Sequence, residues 1–341
     1  MPWPLIGLDH VKKVFSDMLE ASKLPHAILL TGLTGCGKYS LSIALAQALN
    51  CYAPDHDFSP CLKCESCRKT QSLNHPDVTV LEPKGRLSLI PIDDVRDLRS
   101  SLKFKPFEGR YKVAIIRGAD NFREESGGAL LKTLEEPTPN TILILNAISE
   151  AAVMATLVSR CVRIKVPPLP RTSIVKALTE RGLESRHGAL MAGLSGGTMG
   201  EALNLDAQKA LTVWDELDAL FGLYGSQEGL DAAFDWTSKL ASEIAKLKKK
   251  EETFVQSQSL LELILKTIRL WWRDTTILAA TGENWRLLGP SPSPAQTAVA
   301  KTLTAAKFTQ AERYIERLAD GLGRAMRLEI IFENYWLDVL E

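Results

Sequence analysis

The stretch Ala27-Ile-Leu-Leu-Thr-Gly-Leu-Thr-Gly-Cys-Gly-Lys-Tyr-Ser40 decides the fold. Ala27 to Thr31 is a short apolar run that reads as a buried strand, and it enters the glycine-rich loop Gly32 to Lys38. The helical pattern of Ser40 to Leu49 follows at once. A strand, a glycine loop and a helix in this order are the setting of a phosphate-binding P-loop. Gly32, Gly35 and Gly37 let backbone N–H groups wrap phosphate oxygens, and Lys38 is placed to reach the outer phosphates. Against this stands a chance glycine-rich turn, which the strand and helix on either side argue down.

The next residue of such a loop is ordinarily Ser or Thr, whose hydroxyl holds magnesium, but here it is Tyr39. A phenol lies too far from the backbone to replace it, and Ser40 is turned about 100° away along the helix. A second strand should carry a magnesium-associated Asp and a catalytic Glu. Lys112 to Ile116 is such a strand, yet it ends in Arg117-Gly-Ala-Asp120, with Arg117 and Gly118 where those carboxylates belong. Hydrolysis of a nucleotide in this chain's own site is therefore not expected. The sequence leaves open whether a nucleotide such as ATP binds without being hydrolysed.

Working outward, Val78 to Leu81, Thr141 to Leu145 and Cys161 to Val166 are further strand candidates. Val11 to Leu24, Ile92 to Leu102 and Gly127 to Glu136 carry helical spacing between them. This alternation predicts an α/β domain over residues 1–166 built on a parallel sheet. Val166-Pro-Pro-Leu-Pro170 breaks the pattern as a linker. Residues 167–205 read as a small helical lid with turn glycines at Gly193, Gly196 and Gly197, and residues 206–341 as an all-helical domain. Its segments are Ala207 to Leu223, Leu230 to Glu252, Phe254 to Ala280, Pro294 to Ala319 and Gly321 to Leu340.

Cys51, Cys61, Cys64 and Cys67 follow the loop helix with the spacing C-x9-C-x2-C-x2-C. Four thiolates suit a closed tetrahedral zinc of structural kind, within a module over about residues 51–75. An iron–sulfur cluster or a redox dithiol is the alternative. His56 and His75 lie nearby as bystanders, and Cys36 and Cys161 read as free thiols.

The chain has 341 residues, 45% apolar and 24% charged, with 41 basic against 41 acidic side chains. That is the composition of a globular protein of two or three domains with no global pull toward nucleic acid. No run reaches the length of a membrane span and the start is not a secretory signal, so a cytosolic location with reduced thiols is expected. The basic run Lys246 to Lys250 precedes Glu251 and Glu252 and reads as a solvated helix face, a DNA contact being the alternative. Trp271 and Trp272, among leucines and isoleucines, read as core or as an interface, and periodicity does not separate the two.

Leu24-Pro-His-Ala27, His75-Pro-Asp77, Gly128-Ala-Leu-Leu-Lys-Thr-Leu-Glu-Glu-Pro137 and Ser159-Arg-Cys161 together resemble the bacterial DNA polymerase III clamp-loader subunits, which are AAA+ proteins. The matching stretches spread over about the first 165 residues. The resemblance implies an AAA+ α/β domain with an inserted zinc module, a helical lid and a helical collar that joins a hetero-pentameric ring. Family motors keep the loop hydroxyl, the acidic strand end and a lid arginine. Here Gly196-Gly-Thr-Met-Gly200 places Gly200 where that arginine belongs. The resemblance thus implies a non-hydrolysing subunit that works with motor subunits, a sliding clamp and primed DNA in DNA replication. It also implies that Arg160 is an arginine finger acting in trans on a neighbour's ATP, a surface salt bridge being the plain alternative. Asn146 falls at the family's polar sensor position, here a relic or a structural hydrogen bonder. The rival readings are an ATP-hydrolysing motor with an unusual loop and a free-standing zinc DNA-binding module.

Overall fold

The computed structural model describes residues 3 and 5–340, apart from 56, 86, 224, 225, 249, 250 and 324–326. His56, and Lys249 and Lys250 of the basic run, lie outside the described residues, as do the side chains of Leu247, Lys248, Glu251 and Glu252. The chain falls into two compact units: Met1–Ser173 with Gly197–Gly200, and Ile174–Gly196 with Glu201–Glu341.

The first unit is built on five strands, β1 (Ala27–Thr31), β2 (Val78–Leu81), β3 (Lys112–Ile116), β4 (Thr141–Ala147) and β5 (Val162–Lys165). They lie in the order β2-β3-β4-β1-β5, and every pairing is parallel. This is the parallel α/β sheet that the alternation of strands and helices predicts. Every residue of β1 and β4 is buried, as both faces of a parallel sheet must be covered. At the edge, β5 exposes Val162, Arg163 and Lys165, and such charges discourage unwanted strand pairing.

The helices of this unit are α1 (Asp9–Glu20), α2 (Lys38–Asn50), α3 (Glu65–Gln71), α4 (Ile92–Ser101), α5 (Glu124–Glu135) and α6 (Ala155–Val158). Leucine and alanine dominate α2, which suits a helix buried almost all round from Leu41 to Asn50. One face of the sheet gathers Leu29, Ala114, Ile116, Leu143 and Leu145 against Val95 and Leu98 of α4 and Leu130 and Leu134 of α5. Each such buried leucine contributes about 1.5–3 kcal/mol, so α5 is fixed firmly to the sheet.

The second unit is helical among its described residues: α7 (Arg171–Glu180, from Ile174), α8 (Ser185–Leu194), α9 (Met199–Asn204, from Glu201), α10 (Ala207–Gly222), α11 (Gln227–Lys248), α12 (Glu251–Thr281), α13 (Pro294–Thr302), α14 (Ala305–Gly323) and α15 (Leu328–Leu340). The stretch expected as one helix from Pro294 to Ala319 is broken after Thr302, where Leu303 takes an extended backbone. Trp271 and Trp272 are interior residues. Trp271 stacks on Phe221 at 4.3 Å between ring centres and donates to Asp218, while Trp272 donates to Tyr335 Oη. Both are buried within their own unit.

The His75-Pro-Asp77 turn organises the other end of the sheet. Asp77 is buried, and its carboxylate accepts N–H bonds from Phe107 (2.7 Å), Glu108 (2.9 Å) and Gly109 (2.8 Å). Beside it, Asn50 Oδ1 accepts from Arg110 and Tyr111, both at 2.9 Å. Burial alone would raise the Asp77 pKa, but these donors outweigh it and hold the carboxyl below its usual range. The stability it contributes is therefore complete above the ordinary Asp pKa, about 3.9, and is lost as pH falls through the lower folded value. Asp77→Ala is expected to cost on the order of 2–3 kcal/mol in denaturant melts at neutral pH, since the three N–H groups lose their acceptor. The gap to the unmodified chain should close in acid; a pH-independent gap would assign the loss to something other than the charge.

Candidate functional site

The parallel register delivers the C-terminal ends of β1, β3 and β4 to one edge of the sheet, where ligands of open α/β sheets bind. There the glycine loop, Arg117 to Asp120 and Asn146 meet. Gly35 and Gly37 take positive φ, as a loop folded round an anion requires. Lys38 Nζ donates to the loop's own carbonyls, Gly32 O at 2.6 Å and Leu33 O at 2.8 Å. Burial pushes the Lys38 ammonium down, opposed by the charges of Cys36 and Asp120. Ser42, one turn along α2, lies 3.0 Å from both Lys38 O and Asn146 Oδ1. Asn146 is thus a buried hydrogen bonder on β4, with its Nδ2 left without a partner.

The two departures from a hydrolytic site are in contact with each other. The Arg117 guanidinium sits over the Tyr39 ring, 4.3 Å from its centre, and pairs with Glu82 at 2.5 Å. Leu81 pairs with Ile116, so the next residues, Glu82 and Arg117, fall side by side beyond the strand ends. A cation and an aromatic ring therefore stand together where the magnesium ligands are expected, a pairing that stabilises by about 0.5–1 kcal/mol when exposed.

Gly118 has φ +69°, and a Cβ built there would lie 2.5 Å from Asn121 Nδ2. The left-handed backbone thus strains a glutamate at that position, and Asn121 would have to move aside for it. Gly200 donates its N–H to Gly35 O at 3.0 Å, and a Cβ on it would lie 2.9 Å from Gly35 Cα. An arginine at 200 does not fit this approach.

Arg160 follows α6 and is anchored by Glu135, the last residue of α5. Its Nε and Nη2 donate to Glu135 Oε1 at 3.0 and 2.5 Å, and its Nη1 donates to Thr156 O at 2.9 Å. A third of its side chain stays exposed. The neighbouring Cys161 is a quiet thiol, pushed up to about 11 by burial, and burial raises Cys36 as well.

Cys51, Cys61, Cys64 and Cys67 bring their sulfurs within 4.8 Å of one another, a cluster able to hold a metal ion. Backbone N–H groups of Cys61, Cys64 and Cys67 point at the sulfurs of Cys51, Cys61 and Cys64, at 3.3, 3.4 and 3.4 Å. Such donors favour thiolates. At Cys61 burial works the other way, yet the surrounding donors bring the thiol to about 6. Burial raises Cys51 and Cys67 instead, so four anionic sulfurs need a cation to coexist. His75 is not a member of the cluster; its Nε2 lies 3.1 Å from Ser66 Oγ and its Nδ1 accepts from Asp77 N.

Residues 7–170 match the family model described as "DNA polymerase III, delta subunit". The chain is 37% identical over 160 residues to the DNA polymerase III subunit delta' of Haemophilus influenzae, covering 47% of each chain. It is 30% identical over 195 residues to the delta' subunit of Bacillus subtilis, covering 57% of this chain and 58% of the relative. The tau subunit of Escherichia coli is 30% identical over 210 residues, 60% of this chain and 32% of the relative. The chain spans about half the length of the delta' relatives it matches. A solved DNA polymerase III gamma-subunit-related protein of Thermotoga maritima covers 96% of the chain and 97% of its own at 18% identity and a TM-score of 0.42, a likeness too weak to carry an argument.

Sequence reasoning located Lys38, Tyr39, Arg117, Gly118, Arg160 and the cysteines. It assigned no role to Glu82, Asp77 or Glu135. The strand register could have paired Glu82 with Arg117; the contacts of Asp77 and Glu135 are made to loop and helix-end residues that no strand register aligns.

Proposed function

We propose that this chain is a delta-prime subunit of a DNA polymerase III clamp loader and hydrolyses no ATP of its own. The observation that carries the reading is the Tyr39–Arg117–Glu82 assembly at the magnesium position, with Gly118 held where a catalytic glutamate belongs. Magnesium neutralises and orients the reacting phosphates in sites of this class, and a guanidinium on a phenol ring does neither in the same way. Gly32, Gly35, Gly37 and Lys38 are then at most a cradle for bound nucleotide, with Lys38 turned onto its own loop.

In this reading Arg160 acts across a subunit boundary as an arginine finger on a motor subunit's ATP. A guanidinium stays charged and forks onto two oxygens, which suits a γ-phosphate as charge develops on it. Residues 167–205 form the lid and residues 206–341 the collar by which the chain joins motor subunits and delta in a hetero-pentameric ring. The whole assembly places a sliding clamp on primed DNA in the cytoplasm; among the described residues no helix is long and apolar enough to cross a membrane. Cys51, Cys61, Cys64 and Cys67 hold a structural zinc that ties the loop after α2 to α3, where Gln47 Nε2 already donates to Cys67 O.

Clamp- and DNA-stimulated ATP turnover, measured with the chain alone and mixed with cognate motor subunits, tests this function. We expect none alone and strong turnover in the mixture. Turnover by the isolated chain would make it a motor and overturn the reading.

A further inference from the structure

We propose that Glu135 is the positioning residue of Arg160, an inference that rests on the arginine-finger reading. The Arg160 head carries five N–H groups in a rigid plane. Four hydrogen bonds engage it: Nε and Nη2 to Glu135 Oε1, and Nη1 to Thr156 O and to Ser159 Oγ at 3.2 Å. Glu135 thus takes one whole edge of the guanidinium, and the remaining contacts hold the far nitrogen. Glu135 sets plane and direction before any phosphate arrives. The Nη1 bonds to Thr156 O and Ser159 Oγ are the ones that give way when the head forks onto phosphate oxygens.

The anchor is firm where the finger is long. Glu135 ends α5, whose Leu130 and Leu134 are buried in the core of the sheet. Arg160 is joined to a short helix, α6, and its side chain carries about 2 kcal/mol of rotamer entropy when free. An exposed ion pair of this kind adds little to stability. Its consequence is orientation: a preset arginine loses less freedom on engaging a neighbour's phosphate, and a misplacement of about 1 Å costs on the order of 100-fold in rate. Glu136, equally charged and one residue along, has no hydrogen bond to Arg160 among those of the guanidinium, so charge alone is not the relevant quantity.

The test is a double-mutant cycle in the reconstituted clamp loader, reading kcat and KM for ATP with clamp and primed DNA present. Glu135→Ala should lower kcat about 10- to 100-fold with KM changed less than twofold. Glu135→Gln, which keeps an acceptor oxygen, should recover part of the loss, and Glu136→Ala should change neither constant. In an Arg160→Ala background, Glu135→Ala should have no further effect. Normal turnover in Arg160→Ala would remove the finger and this proposal with it. A fall in Arg160→Ala beside normal turnover in Glu135→Ala would overturn the positioning alone. So would a Glu135→Ala loss that persists unchanged in the Arg160→Ala background.

Discussion

Replacing Arg160 with Ala is expected to reduce ATP turnover of the assembled clamp loader by about 10³-fold or more, with assembly unchanged. Trans arginines contribute on the order of 10³–10⁵ because the transferring phosphoryl group gains charge that water stabilises poorly inside a closed interface. The fold of the chain should survive the change, since Arg160 is a third exposed and, among the described residues, bonds only to Glu135, Thr156 and Ser159 at the surface. Co-elution with the motor subunits and an unchanged melting curve would establish this. Arg160→Lys keeps the charge and loses the planar fork, so most of the loss should remain. Turnover within twofold of the unmodified complex would return Arg160 to an ordinary surface ion pair.

Removal of zinc is expected to have the largest effect on the first unit's structure. A four-thiolate site releases about 10–16 kcal/mol on binding zinc at neutral pH, and that free energy is spent in ordering the segment that supplies the ligands. Here the segment runs from the end of α2 through α3, which is capped by Cys64 accepting from the Cys67 N–H. Purified chain should hold about one zinc, and a strong chelator or Cys64→Ser should release it. Amide exchange should then rise over residues 51–75 while β1 and β4 stay protected. Zinc content well below one per chain, or protection unchanged by its loss, would rule out a folding role. Because thiolates are the ligands, affinity should weaken as pH is lowered and protons compete for the sulfurs.

The strands were legible because each is a short apolar run set between turn residues. β1, β2 and β3 fall on the residues expected, whereas β4 extends to Ala147 and takes Asn146 into the ladder. Polarity at Asn146 hides the continuation: its amide oxygen is satisfied by Ser42, far off in sequence, and no local pattern reports that. α3 went unseen because seven residues with one cysteine and two basic side chains have no apolar stripe to read. The break between α13 and α14 was missed because apolar spacing carries across Leu303 and Thr304.

Within the candidate site, the residue types alone raised the proposal, as Tyr39, Arg117, Gly118 and Gly200 each differ from what a hydrolytic site of this kind is expected to carry. What they do instead was not legible, because cation–ring stacking and close glycine approaches depend on register and backbone angles. His75-Pro-Asp77 makes the same point: the motif was visible, while its work of gathering the backbone of residues 107–109 is a long-range fact.

The stacking of Arg117 on Tyr39, with Glu82 at its side, also bears on how the site answers to substitution. Tyr39→Ser would strip the guanidinium of its ring, and Arg117→Asp would set a second carboxylate beside Glu82. A glutamate at 118 meets a backbone shaped for glycine, and an arginine at 200 meets Gly35. Each single step back toward hydrolysis breaks something before it restores anything. Substitutions here are therefore expected to be coupled: the combined effect of Tyr39→Ser and Arg117→Asp should differ from the sum of the two single changes, because each side chain is the other's neighbour.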